Sequence, residues 1–171
     1  MPFIEGHLGP YENAGVPVQG TDEVQTLTIG GTPTGGTFKL AFDGHASGPI
    51  TWSATNATLL ANIQAALDAM PNVGTNGIVA AAGSLTAGIG TITLTFGANL
   101  ANLAVPTMTV ANNSLTGTSP TLAVAETTPG VTATMRGAKK GATVVDTTNG
   151  KEYINTGTPL DPTWTVKGTQ T

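Results

Sequence analysis

Residues 23–42 read Glu23-Val24-Gln25-Thr26-Leu27-Thr28-Ile29-Gly30-Gly31-Thr32-Pro33-Thr34-Gly35-Gly36-Thr37-Phe38-Lys39-Leu40-Ala41-Phe42, and their periodicity decides the fold class. Leu27 and Ile29 fall on one side of an extended chain, with Thr26 and Thr28 on the other. Phe38, Leu40 and Phe42 alternate in the same way with Thr37, Lys39 and Ala41. A period of two is that of a half-buried strand, and the Gly/Pro segment between the two runs predicts a β-hairpin.

Downstream, Asp43-Gly44 marks a turn, and Ile50 and Trp52 open a third strand. The period then changes. Between Asn56 and Met70 the residues Leu59, Leu60, Ile63, Ala66, Leu67 and Met70 fall on one stripe at 3.6 residues per turn, which predicts a single amphipathic helix. Thr55 or Asn56 is placed to cap its start and Pro71 to end it. Strand patterns resume weakly at 78–82, strongly at Ile92, Leu94 and Phe96, and again at Met108 with Val110 and Leu122 with Val124.

The flanks differ from this middle. Gly6, Gly9, Pro10, Gly15, Pro17 and Gly20 prevent regular structure in residues 1–22, yet Phe3, Ile4, Leu8 and Tyr11 are scattered among them. Such an extended N-terminal arm either lies along its own domain or docks on another subunit. After the linker Thr127-Thr128-Pro129-Gly130, residues 143–146 and 152–155 form two strand runs around Asn149-Gly150, a strong hairpin signal. Residues 163–166 close the segment. About forty residues bury little by themselves. Tyr153 and Trp164 are therefore expected either to pack between copies of the chain or to fill their own hairpin's core.

The fold class expected is α+β, mainly β: antiparallel sheet covered by one helix at about 56–70, with an arm over 1–22, a β-rich domain over 23–130 and a small C-terminal β-hairpin domain over 131–171.

Composition narrows the function. Charged residues make up 9% of the chain, against roughly 25% in ordinary soluble domains. A surface of threonine rather than lysine and glutamate suits a protein held against neighbours. The net charge of −4 argues against general nucleic-acid binding. Lys39 is the lone basic side chain before residue 131, whereas Arg136, Lys139, Lys140, Lys151 and Lys167 follow it. The absence of cysteine excludes disulfides and thiolate metal sites. Met1-Pro2-Phe3-Ile4-Glu5 lacks the pattern of a secretory leader, and no apolar run reaches membrane-spanning length, so assembly in a host cytoplasm is expected. His7 and His45 make a poor metal set, the serines show no Gly-x-Ser-x-Gly elbow, and the glycines form no phosphate loop. No enzyme activity, cofactor or metal is expected.

The stretch from Lys140 through Gly141-Ala142-Thr143-Val144-Val145-Asp146-Thr147-Thr148-Asn149-Gly150-Lys151-Glu152-Tyr153-Ile154-Asn155 to Thr158, followed by Pro162-Thr163-Trp164-Thr165-Val166, resembles a motif of phage head decoration and head-fibre proteins. Tyr11-Glu12-Asn13-Ala14-Gly15 resembles the way such chains begin. The middle, from Glu23 through the helix, resembles a β-α module that recurs in phage head and tail proteins, here placed between the two end motifs as an insertion. The resemblance implies a structural virion protein on the capsid exterior. It would bind the major capsid protein, often as a homotrimer, without nucleic-acid or membrane partners. Phe3, Ile4, Leu8, Tyr11, Tyr153 and Trp164 are the candidate partner-binding residues. The alternatives are a tail or fibre-associated module and a host- or glycan-binding module using Trp52 and Trp164.

Overall fold

The computed structural model describes residues 11–13 and 15–168. In chain order the elements are β1 (Tyr11–Asn13), β2 (Val24–Phe42), β3 (His45–Ala46), β4 (Ile50–Thr51), α1 (Asn56–Asp68), β5 (Ile78–Ala82), β6 (Gly90–Phe96), β7 (Thr109–Thr128), β8 (Thr143–Asp146), β9 (Lys151–Asn155) and β10 (Trp164–Val166). The fold is α+β and mainly β, with antiparallel ladders throughout except β1 on β8.

The chain divides into two compact units. One is continuous, Thr21–Val131; the other is built from the two flanks, up to Gly20 and from Thr132 onward. The first is thus an insertion in the second. Its ends are closed by Thr21 and Val131, which exchange backbone hydrogen bonds of 3.0 and 2.9 Å.

In the inserted unit, the Gly/Pro segment 30–36 is not a hairpin loop. β2 runs unbroken through it for 19 residues and pairs with β7 from Val24↔Thr128 to Ala41↔Thr109. The other edge of β2 takes β6 along Val24–Ile29, then β4 and β3 near its end. A straight strand of this length would separate its ends by about 60 Å. Instead Phe96, whose N–H bonds Glu23 O at one end of β2, meets Phe42 at the other with ring centroids 5.2 Å apart. The β2–β7 ribbon therefore folds over at its middle and lays its two halves face to face. The register shifts between Gly30 and Thr32 and between Pro33 and Gly35. Gly31 (φ +74°) and Gly117 (φ +128°) hold backbone conformations there that side chains resist, and a Cβ on either would run into the opposing backbone. Pro33 sits at a bulge, where a missing N–H costs no ladder bond. The composition that reads as a loop is that of a corner in a continuous ribbon.

Between the halves lies one core, including Leu27, Ile29, Phe38, Leu40, Phe42, Ile92, Leu94 and Phe96, with Leu59, Ile63 and Leu67 from the buried stripe of α1. Thr55 occupies the N-cap position without a side-chain cap bond. Asn56 does not cap either: its amide donates to Leu85 O (2.8 Å) and accepts from Gly88 N–H (2.9 Å), fastening the helix start to the loop before β6. Gln64 donates to Ile78 O and accepts from Ala80 N–H, both at 2.9 Å, so the helix closes the open edge of β5 with a side chain that mimics a strand.

The smaller unit is a four-stranded sheet in the order β1-β8-β9-β10. The expected hairpin is present, with Val144 opposite Tyr153. Residues 11–13, expected in an arm, supply an edge strand to it: Tyr11, Glu12 and Asn13 run parallel to Val144, Val145 and Asp146. Of the arm expected over 1–22, Tyr11–Asn13 thus form an edge strand on β8, and residues 1–10 lie outside the described residues.

Candidate functional site

Tyr153 and Trp164 are brought together, but inward. With Val144 they form the core of the smaller unit and retain 7% and 5% of their surface. Trp164 donates from Nε1 to Thr134 O at 2.9 Å. Of the two expected outcomes, the structure shows the second: both aromatics fill their own unit's core, with Met135, Ala138 and Ala142 packed against it, because a sheet this small has few large side chains to bury. Phe3, Ile4 and Leu8 lie outside the described residues, and Tyr11 is described by its backbone pairing alone.

Among the described residues of this unit four large apolar side chains stay exposed, Leu160 at 38% and three valines. Val16, Val18 and Val166 are 58%, 47% and 46% exposed. Val18 is held by its backbone, its N–H on Thr134 Oγ1 (2.8 Å) and its C=O on Thr134 N–H (3.0 Å). Gln19 donates to Trp164 O at 3.2 Å, which ties the same segment to the edge strand β10 that carries Val166. Backbone rigidity with exposed apolar tips is what a docking surface needs. The sequence signal was the alternation Val16-Pro17-Val18, in which Pro17 is buried and its neighbours point out.

Two buried polar side chains fasten the unit. Asp146 Oδ1 accepts from Gly15 N–H (3.1 Å), Thr148 N–H (2.9 Å) and Asn149 N–H (3.0 Å), and Oδ2 accepts from Asn149 Nδ2 (2.6 Å). Burial pushes this carboxyl up, but the bonds from the Asn149 side chain and from the backbone of Asn149, Thr148 and Gly15 together hold it below its ordinary value. Asn155 donates to Ala138 O (2.8 Å) and accepts from Gly157 N–H and Thr163 N–H, both at 2.9 Å.

The basic residues after 131 all fall in the smaller unit. In the inserted unit Lys39 stands against Asp22, Glu23, Asp43, Asp68 and Glu126, so the net charge of −4 is carried there and the two flanks together are neutral. Glu23 is buried, accepting from Val105 N–H (3.0 Å) and from Gln25 Nε2, while Gln25 Oε1 accepts from Met108 N–H (2.8 Å). These groups pin the segment before β7.

Trp52 is also engaged: its ring packs on the inserted core and Nε1 donates to Gly88 O at 2.9 Å. Trp164 is buried and Trp52 is half-buried. His45 is exposed in the turn after β2, with Nδ1 3.0 Å from Asp43 O, and His7 lies outside the described residues. Among the described residues no three His, Asp or Glu side chains gather as a metal set, and no helix is long and apolar enough to cross a membrane. No model of a known protein family matches the chain, and no curated protein matches it.

Proposed function

We propose that this chain is a structural virion protein that decorates a phage head, binding the major capsid protein on the outer surface through the smaller unit and carrying the inserted unit as a module. The observation that carries this reading is the insertion topology. The two end segments that resemble head decoration proteins are the ones that combine into a single sheet, and the module resembling other phage structural proteins is spliced between them.

The work of such a protein is adhesion. Val16, Val18 and Val166 offer apolar contacts on a fixed backbone, and residues 1–10 add Phe3, Ile4 and Leu8 beside them in sequence. Each apolar side chain fully buried contributes roughly 1.5–3 kcal/mol, less for a valine that is already half covered. Single-copy binding is then weak once ordering costs are subtracted. Three copies acting together as a homotrimer would raise avidity by about 10²–10⁴ without new contacts.

The test is co-sedimentation of the purified chain with phage heads that lack it, using the full chain and a variant deleted for residues 1–10. That deletion spares β1 and the Gly15–Asp146 bond, which a deletion to residue 15 would destroy. The full chain is expected to saturate heads at a fixed ratio and the shortened one to bind at least tenfold more weakly. A full chain that fails to pellet with heads, or pellets with isolated tails instead, contradicts the proposal.

A further inference from the structure

Among the described residues, the far edge of β7 pairs with no strand. In the half of the ribbon that includes Thr121–Thr128 the strand order is β5-β6-β2-β7, and among the described residues no strand pairs with the other side of β7. The opposite edge of the same sheet is treated differently, since Gln64 bonds the free backbone groups of β5. Nearer the corner, Asn113 likewise covers two groups of β7, with Nδ2 on Pro120 O (3.2 Å) and Oδ1 on Leu115 N–H (3.2 Å). From Thr121 to Thr128 no side chain among the described residues does this; the Thr127 hydroxyl pairs instead with that of Thr26 at 2.6 Å.

Open edges are normally blunted by lysine, proline or inward charges. Residues 121–128 contain none of these except Glu126, whose side chain is exposed. Leu122 and Val124 turn toward the core yet stay half-buried, although Leu27 and Ile29, opposite them on β2, are fully covered. Another strand laid alongside would cover both.

We infer that the occupant is a second copy of β7, paired antiparallel about a two-fold axis through Ala123, so that two inserted units share one eight-stranded sheet. A two-fold axis normal to a sheet must pass through a residue, because directly opposed residues lie on the same face. With the axis at Ala123, Leu122 of each copy faces Val124 of the other, apolar on apolar, and Glu126 faces Pro120. With the axis at Val124, Leu122 would face the carboxylate of Glu126. Parallel in-register pairing would set Glu126 against its own copy in a unit that already carries the chain's net negative charge. Self-pairing also suits the composition: apart from Glu126 the edge is made of Thr, Ala, Leu and Val, which pack against themselves without any partner of opposite charge. This contact does not depend on the capsid reading and uses a different surface from Val16, Val18 and Val166.

The chain has no cysteine, so single cysteines report the pairing. In the antiparallel register the two copies of position 123 are adjacent, whereas those of position 127 are about 27 Å apart, beyond the ~7 Å reach of a disulfide. Full-length A123C under mild oxidation should give a linked dimer and T127C should not, with a solution mass of an even number of copies for the unmodified chain, two by this contact alone and six where the homotrimer also forms. Val124→Lys should weaken that association at least tenfold, since an inward lysine escapes to water from an open edge but not from beneath a second strand. Circular dichroism melting of this variant checks that the unit still folds. A monomeric mass with no linkage overturns the inference. So does linkage at both positions, which means parallel pairing, and linkage at 127 alone, which means another register. A three-copy mass with no linkage at 123 overturns it too, while leaving the homotrimer proposal standing.

Discussion

The two units are held together by different physics. The inserted unit closes a folded-over ribbon and a helix around seventeen buried apolar side chains. Among the described residues the core cluster of the smaller unit has three, Val144, Tyr153 and Trp164, with Ala133 buried apart from them, and the unit compensates with Asp146 and Asn155, whose hydrogen bonds reach Gly15, Ala138 and Thr163 from separate parts of the chain. Apolar burial is non-directional and tolerates variation at its margins. A polar staple works through fixed geometry and fails when one partner leaves. The smaller unit should therefore be the more sensitive to pH and to single polar substitutions, and the inserted unit to loss of volume.

Each unit carries one tryptophan, Trp52 in the inserted unit and Trp164 in the smaller one, so W164F and W52F backgrounds report them separately by fluorescence. The largest effect is expected from Phe38→Ala, which empties the middle of the inserted core and should cost about 3–5 kcal/mol in the Trp52-reported transition. The Trp164-reported transition should move far less; equal shifts in both would mean that the units unfold as one. Asn155→Ala comes next. It orphans Gly157 N–H, Thr163 N–H and Ala138 O, and urea melts should register a loss of roughly 2–4 kcal/mol confined to Trp164.

Asp146 sharpens the comparison through pH. Because its folded pKa is depressed, its contribution is present above the ordinary carboxylate value and is lost as pH falls through that value toward the folded one. The Trp164 transition should drop across that acid window more steeply than in Asp146→Asn, and parallel curves would remove Asp146 from the account. The smallest effect on folding is expected from Val18→Ser, an exposed side chain whose neighbours are held by backbone bonds. Stability should change by no more than about 0.5 kcal/mol, while affinity for heads should fall several-fold in sedimentation.

Much of this architecture was legible in the residues. The stripe Leu59, Ile63 and Leu67 placed the helix, the alternations at 27–29, 38–42 and 92–96 placed buried strands, and Asn149-Gly150 placed the small hairpin. The ribbon corner was not legible, because glycine and proline serve a tight loop and a bulged bend equally, and only the partner strand distinguishes them. β7 was visible merely as Met108 with Val110 and as Leu122 with Val124, since an edge strand in contact with water on most of its surface needs few apolar residues. The candidate site was the least legible part. Large aromatics attract attention in a sequence, but a small sheet spends them on its own core, and the exposed contacts left to Val16, Val18 and Val166 have no signature beyond the short alternation Val16-Pro17-Val18.

Electron microscopy of purified virions at side-chain resolution tests the central claim most directly. The account predicts density for the four-stranded sheet β1-β8-β9-β10 seated on the outer face of the head, with Val16, Val18 and Val166 buried against the major capsid protein. Density for this chain along the tail, or heads that carry none of it, would contradict the account.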